Sequence, residues 1–327
     1  MDTVCLRITF IAPGCAGPAP VGFAARYANE CDKDFGDASM CDENTVKETE
    51  QRLGAMTRRQ FNTLATGVAV GAMLPPVVHA QAVTAKRVEI DTPDGICDAF
   101  FVHPIAGASA AVLMWPDILA LRPAFKSMAT RLAESGYAVL CVNPYYRDAK
   151  APVVAVGESF QDQATRDKVM PMYRNLSATT HKTDAEALVA WLDAQPQVDS
   201  QRKIGTMGYC MGGPIIMRTA AAVPERIGAA CSYHGGGLVT DKSDSPHLLI
   251  PQMQAQLLIA IAQNDDEREP ETKTVLTQAF AQNQLAAEVE VYAGALHGWC
   301  VLDSRVYNRE QAERAWARTL ALFQRAL

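Results

Sequence analysis

A cysteine set between glycines, an acid and a histidine follow one another along this chain, each where a strand should end. The first lies in Gly208-Tyr209-Cys210-Met211-Gly212-Gly213, which fits the pattern G-x-S-x-G with cysteine in the serine position. The chemistry accounts for the residue types. A sharp strand-to-helix turn forces strained backbone angles on residue 210, and side chains at 208 and 212 would collide with neighbouring backbone, so both are glycine. Such a turn lifts the sulfur into a cleft and aims the Met211 amide where an oxyanion would form. The helix that starts there favours the thiolate through its positive end. A chance small-residue turn around a buried cysteine is the competing reading, and the strand–turn–helix context argues against it.

His297 stands in Gly294-Ala295-Leu296-His297-Gly298-Trp299, just after the last expected strand. A general base belongs there, late in the chain and on a loop from which it can reach the nucleophile. The other histidines fit less well. His79 falls in the N-terminal region and His247 in a polar loop, while His103 and His181 suit surface or satisfied core positions. His234 ends a strand and could line the cleft, but it precedes the acid. That acid should follow the strand 256–262, where Asn264-Asp265-Asp266 stands. A buried carboxylate that fixes the imidazole tautomer completes a triad. Asp265 is the first choice and Asp266 the alternative. The unused one would be a solvated loop acid beside Glu267 and Glu269.

The elements that must position these residues alternate along the chain. Arg87–Ile90 and Ala99–His103 read as strands around a Pro-Asp-Gly turn. The runs 110–115 and 137–142 are continuously apolar, as in strands buried on both faces. Helical spacing marks 123–135, 183–194, 212–222, 271–283 and 309–326, and further strands are expected at 203–208, 227–233, 256–262 and 287–292. Residues 144–178 read as irregular and polar. The alternation predicts a doubly wound, mostly parallel α/β sheet with helices on both faces, which binds ligands at the carboxyl ends of its strands. No repeat or low-complexity linker divides 81–327, so that region is expected to be a single domain.

Composition narrows the function classes. With a net charge of −6 and no basic tract, nucleic acid is not an expected partner. No apolar run approaches the roughly 18 to 20 residues of a membrane helix, so no stable membrane insertion is expected. The nine cysteines include no CxxC pair, so neither a zinc ribbon nor a thioredoxin-type site is suggested.

Residues 1–55 lack periodicity and mix Gly, Pro, Cys and acids. They are followed by Met56-Thr57-Arg58-Arg59-Gln60-Phe61-Asn62, a moderately apolar stretch from Leu64 to Leu74, and Val78-His79-Ala80 before Gln81. That ordered arrangement has the form of a twin-arginine export signal over 56–80. A short amphipathic helix with two solvated arginines is the alternative. On the signal reading, residues 1–55 are a non-native, disordered upstream extension. The mature chain then starts near Gln81, is handled by the twin-arginine export machinery and works in a bacterial periplasm; without the signal, the chain is cytoplasmic. Export in the folded state suits a cysteine that must stay unpaired.

With these motifs in place, the chain from about Arg87 to its end resembles the dienelactone hydrolase family, whose nucleophile is a cysteine; Gly-Tyr-Cys-Met-Gly-Gly is the most specific piece. The resemblance implies an α/β-hydrolase fold and cleavage of a small carboxylic ester or (enol-)lactone through Cys210, His297 and Asp265, with a thioester intermediate and no metal or organic cofactor. It also implies that Asp117, in Trp115-Pro116-Asp117-Ile118, is the acid that contacts the resting cysteine, commonly glutamate in the family. The Ile118 amide would then be the second oxyanion donor beside that of Met211. One departure concerns the substrate. Family members place an arginine a few residues after the base to hold a substrate carboxylate, whereas this chain has none there until Arg305. Arg166 is the nearest match for a second arginine in the middle loop. Tyr145, Tyr146, Arg147 and Trp299 are candidates for the substrate pocket, with ordinary loop roles as the competing reading for the first three. Two rival functions use the same fold: a non-catalytic ligand-binding protein, and a thiol redox protein pairing Cys210 with Cys231 or Cys300.

Overall fold

The computed structural model describes residues 74–327, all within one compact unit. Residues 1–55 and the Arg58-Arg59 pair of the expected signal lie outside the described residues. Among the described residues, no helix is long and apolar enough to cross a membrane.

The chain opens with a hairpin of β1 (Val83–Thr92) and β2 (Gly95–Pro104), then alternates. In order come β3 (Ala111–Trp115), α1 (Pro123–Glu134), β4 (Ala138–Val142), α2 (Gln163–Arg174), α3 (Ala178–Asp193), β5 (Ile204–Tyr209), α4 (Gly212–Ala222) and β6 (Ile227–Tyr233). They are followed by β7 (Gln256–Ala262), the short α5 (Gln263–Arg268), α6 (Glu271–Gln282), β8 (Ala287–Tyr292) and α7 (Arg309–Ala326). The eight strands form one sheet in the order β1-β2-β4-β3-β5-β6-β7-β8. Pairs β1/β2 and β2/β4 are antiparallel and the rest are parallel. This is the doubly wound sheet of an α/β-hydrolase fold.

Strand periodicity divides the interior into two layers. On β3, Val112 and Met114 join one cluster, with Phe125 and Leu132 of α1 and Leu322 and Phe323 of α7. Ala111, Leu113 and Trp115 join the other, with Leu188 of α3, Ile215 of α4 and Leu276 of α6. Every residue of β3, β4 and β5 is buried, which is why the segments of β3 and β4 read as continuous apolar runs rather than as alternating ones.

Strand order reverses at β3, which lies between β4 and β5. A crevice opens at such a switch point, outside the carboxyl ends of the strands. Trp115 pairs with Gly208 there, so the residues after β3 and those after β5 emerge side by side. The turn from β5 into α4 is tight. A Cβ on Gly208 would lie 2.2 Å from the Gly212 carbonyl oxygen, and one on Gly212 would lie 2.7 Å from the Trp115 carbonyl oxygen.

Three elements differ most from the sequence reading, the first being the short α5 over Gln263–Arg268, where a loop was expected. Residues 163–174 form α2, where an irregular stretch was expected. That helix buries only Thr165 and Val169 and carries Pro171 inside it, so it shows neither an apolar stripe nor freedom from a breaker residue. Helix α3 begins at Ala178 rather than 183, because Ser177 and Thr180 close a reciprocal capping box that lies ahead of the periodic apolar residues.

Gly208→Ala should lower the unfolding free energy by about 1–3 kcal/mol, the cost of forcing atoms into a packed site. Denaturant unfolding followed by circular dichroism measures it, and an unchanged midpoint would contradict the close approach.

Candidate active site

Cys210 has φ +54°, a left-handed conformation that costs a non-glycine residue roughly 1–2 kcal/mol. Neighbouring backbone holds it there. The Cys210 amide donates to the Tyr233 carbonyl of β6 at 3.1 Å, and the Cys210 carbonyl accepts from the Gly213 amide at 3.0 Å. The residue is 4% exposed.

Asp265 and His297 arrive from the next two strands. Asp265 sits in α5, directly after β7, and His297 lies on the loop after β8. The His297 Nδ1 is 2.8 Å from Asp265 Oδ2, and the His297 amide donates to Asn264 Oδ1 at 2.8 Å, so backbone and ring are both anchored to one short helix. Asp266 faces elsewhere, with its two oxygens 2.6 and 2.7 Å from Lys273 Nζ. The imidazole also hydrogen-bonds the Cys210 side chain. Burial alone would push the His297 pKa down. The Asp265 carboxylate and the negative charge of Cys210 more than offset it, so the ring holds its proton well above the ordinary histidine range.

Ile118 follows β3 in the same crevice. Among the described residues, no backbone carbonyl accepts from the amides of Met211 or Ile118, so both donors stand uncommitted to the backbone. Tyr145 ties the two residues together. Its hydroxyl donates to the Ile118 carbonyl at 3.1 Å and lies 3.2 Å from Met211 Sδ.

The structure gives Asp117 a partner that the sequence reading missed. Arg122 Nη1 and Nη2 contact the two Asp117 oxygens at 2.6 and 2.9 Å, while Nε and Nη2 contact Asp303 at 2.7 and 2.8 Å. Burial works against the charge of this guanidinium, but the two carboxylates raise its pKa. Asp117 also accepts from the Leu119 amide at 2.9 Å, and its carbonyl accepts from the Ala120 amide at 2.8 Å. Arg122 thus braces the loop that carries Ile118 against the loop that follows His297. An arginine five residues after the acid was the only signal in the sequence, and Asp303 lies 181 positions further on.

Other expected pocket residues turn to structural partners. The Tyr146 hydroxyl bonds Thr92 and Asp184. Arg147 pairs with Asp94 and Asp184 and stacks on the Tyr146 ring. Trp299 is fully buried against Tyr292 and His234. Arg166 donates to the Phe160 and Gln161 carbonyls at 2.9 and 2.6 Å and to Gln163 at 2.6 Å. His234 packs its ring 4.8 Å from that of His297. Burial, followed by the His297 charge, holds it neutral. Among the described residues, neither of its ring nitrogens has a hydrogen-bond partner.

Cys231 and Cys300 are fully or nearly fully buried in a different apolar cluster from that of Cys210. Burial raises both, Cys231 to about 12, so they stay as unreactive thiols. Among the described residues, no three His, Cys, Asp or Glu side chains converge as a metal centre would need.

Arg122→Ala would leave two carboxylates facing each other without a cation. It should cost about 3 kcal/mol of stability, the lower end for a broken buried pair because Asp303 is 29% exposed. Arg122→Lys should recover only part of this, since an ammonium cannot serve both carboxylates in a planar fork. Equal stability of the lysine variant and the parent, measured by urea unfolding, would contradict the brace.

Comparison with known proteins identifies the family of the chain. The dienelactone hydrolase family profile matches residues 97–327. The carboxymethylenebutenolidase of Pseudomonas putida is 25% identical over 236 residues, covering 72% of this chain and 94% of that protein. That of Rhodococcus opacus is 24% identical over 224 residues, covering 68% and 83%. A dienelactone hydrolase-like promiscuous phosphotriesterase from metagenomic libraries superposes with a TM-score of 0.61 at 22% identity, covering 75% of this chain and 99% of that one. The dienelactone hydrolase of Anabaena variabilis superposes with a TM-score of 0.55 at 18% identity and the same coverage; at these identities the structural likeness speaks to the fold. With the family profile spanning most of its length, this chain belongs to the dienelactone hydrolase family and is a hydrolase of esters or lactones.

Proposed function

We propose that Cys210 is the nucleophile, His297 the general base and acid, and Asp265 the group that orients the imidazole, in hydrolysis through a thioester. The observation that carries this reading is the position of His297, bonded to Asp265 at 2.8 Å and to the side chain of a cysteine held at φ +54°.

In the first half, the Cys210 sulfur attacks the ester carbonyl carbon and the carbonyl π electrons move onto oxygen. The amides of Met211 and Ile118 hold that oxyanion. When the tetrahedral adduct collapses, the C–O bond to the leaving group breaks and His297 gives its proton to the departing oxygen. In the second half, His297 takes a proton from water, the hydroxide attacks the thioester carbon, and the C–S bond breaks to return the thiolate and release the acid. Asp117 contributes by fixing the loop that carries Ile118, through its pairing with Arg122. A redox role for Cys210 with Cys231 or Cys300 has less support, because both candidate partners are buried and kept protonated.

Cys210→Ala should lower kcat on a p-nitrophenyl ester by at least about a thousandfold, as removal of a covalent nucleophile does, with the circular dichroism spectrum unchanged. Undiminished turnover would remove Cys210 from the mechanism. Asp265→Asn should move the alkaline limb of kcat/KM to lower pH, since Asp265 is the largest of the influences that raise His297. A limb that stays in place would contradict the assignment of Asp265.

We also propose that the enzyme is exported through the twin-arginine route to the periplasm, on the strength of Arg58-Arg59, the apolar stretch after them and Val78-His79-Ala80. N-terminal sequencing of the native protein should start near Gln81, and peptides from before Met56 would contradict it.

A further inference from the structure

Oxyanion stabilisation depends on where two amides point, and contacts behind those amides converge on one hydroxyl. The direction of the Ile118 amide is set by the peptide planes on either side of that residue. In the plane before it, the Asp117 carbonyl accepts from the Ala120 amide at 2.8 Å. In the plane after it, the Leu119 amide donates to Asp117 Oδ1 at 2.9 Å, and the Ile118 carbonyl accepts from the Tyr145 hydroxyl at 3.1 Å. The Tyr145 contact reaches this loop from a different strand end, that of β4. The same hydroxyl lies 3.2 Å from the Sδ of Met211, the residue that caps α4 and carries the other amide. One phenol oxygen therefore touches both residues, one after β3 and one after β5, and sets their spacing.

Tyr145 is itself held against drift. It is fully buried, in the cluster that also contains Cys210, Ile118 and Met211. Its amide donates to Asn143 Oδ1 at 3.1 Å, and its carbonyl accepts from the Asp148 and Ala149 amides, both at 2.9 Å. Asn143 donates in turn to the Ala149 carbonyl at 2.7 Å and to Asp98 of β2 at 2.8 Å. Burial makes the position of the hydroxyl strict, because a displaced phenol would exchange a hydrogen bond for contact with apolar side chains.

We propose that Tyr145 is a positioning residue for the reaction: its hydroxyl, through the Ile118 carbonyl and the Met211 thioether, holds the two amides at the spacing a tetrahedral oxyanion needs. The proposal rests on Cys210 as nucleophile and on those amides as the donors. Tyr145 acts through them rather than on the substrate, since its hydroxyl is directed at the Ile118 carbonyl and the Met211 sulfur. A small shift of either donor matters more to a developing oxyanion than to a neutral ester carbonyl. The effect therefore belongs to kcat rather than to KM.

The full chain, Tyr145→Phe, Met211→Leu, Tyr146→Phe and Cys210→Ala would be compared, with p-nitrophenyl butyrate as substrate and iodoacetamide as alkylating reagent. In alkylation the sulfur displaces iodide from a saturated carbon and no oxyanion forms, so the reagent reports on the thiol without the oxyanion donors. Tyr145→Phe keeps the ring and removes the hydroxyl. Its kcat should fall at least about tenfold, a fraction of the loss that follows removal of a whole oxyanion donor. KM and the rate of Cys210 alkylation should both stay within about twofold of the parent. Met211→Leu removes the other anchor of the hydroxyl and should also lower kcat without slowing alkylation. The Tyr146 hydroxyl bonds Thr92 and Asp184 instead, so Tyr146→Phe should retain the parental kcat. An unchanged kcat in Tyr145→Phe, or in Met211→Leu if the first variant does not fold, would overturn the positioning role while leaving the nucleophile in place. A loss confined to KM, alkylation that slows in step with kcat, or an equal loss in Tyr146→Phe would do the same. Turnover that survives Cys210→Ala would overturn the nucleophile reading and the positioning role together.

Discussion

The left-handed backbone of Cys210 is the constraint around which the rest of the molecule is arranged. A cysteine does not adopt φ +54° on its own account, so the neighbouring elements must hold it. The Tyr233 carbonyl at the end of β6 takes its amide, and the first turn of α4 takes its carbonyl. Glycine at 208 and 212 lets β5, α4 and the end of β3 approach within distances that a methyl group would not survive. Because β3 and β5 are neighbours where strand order reverses, holding Cys210 in this way also brings the Ile118 loop alongside it. One strained residue is thus held in place by three strands of the sheet and the helix α4.

Electrostatics near the site follow from the same burial. Removal of water penalises every charge, and each buried charge close to Cys210 is therefore accompanied by its opposite. His297 is held between Asp265 and Cys210, and Arg122 between Asp117 and Asp303. The two pairings differ in kind. The first keeps a proton at the reacting centre, whereas the second joins the loop after β3 to the loop after β8 and fixes their geometry. His234, packed on His297 and with neither ring nitrogen partnered among the described residues, stays neutral and adds no charge to the centre.

Much of the fold was legible because it depends on local pattern. Buried parallel strands announce themselves as apolar runs, and the elbow as glycines around a cysteine. Asp265 and His297 could be nominated because strand ends are where such sheets place their chemistry. What escaped depends on contacts between distant positions. The Arg122–Asp303 pairing links residues 181 apart, and no single segment encodes it. Tyr145, Tyr146 and Arg147 look alike in sequence, yet only Tyr145 turns toward Ile118 and Met211, while the other two turn to Asp184. Helix α2 was hidden by its own exposure, since a helix with two buried residues has little periodicity to read.

The central claim is that acyl transfer passes through the sulfur of Cys210. Rapid acid quench of the enzyme during turnover of p-nitrophenyl butyrate, followed by peptide mass mapping, tests it directly. The account predicts a butyryl group on the peptide containing Cys210, labile to hydroxylamine as a thioester is. Turnover at full rate with the acyl group on another residue, or with no acylated peptide at any quench time that resolves a burst of product, would contradict it.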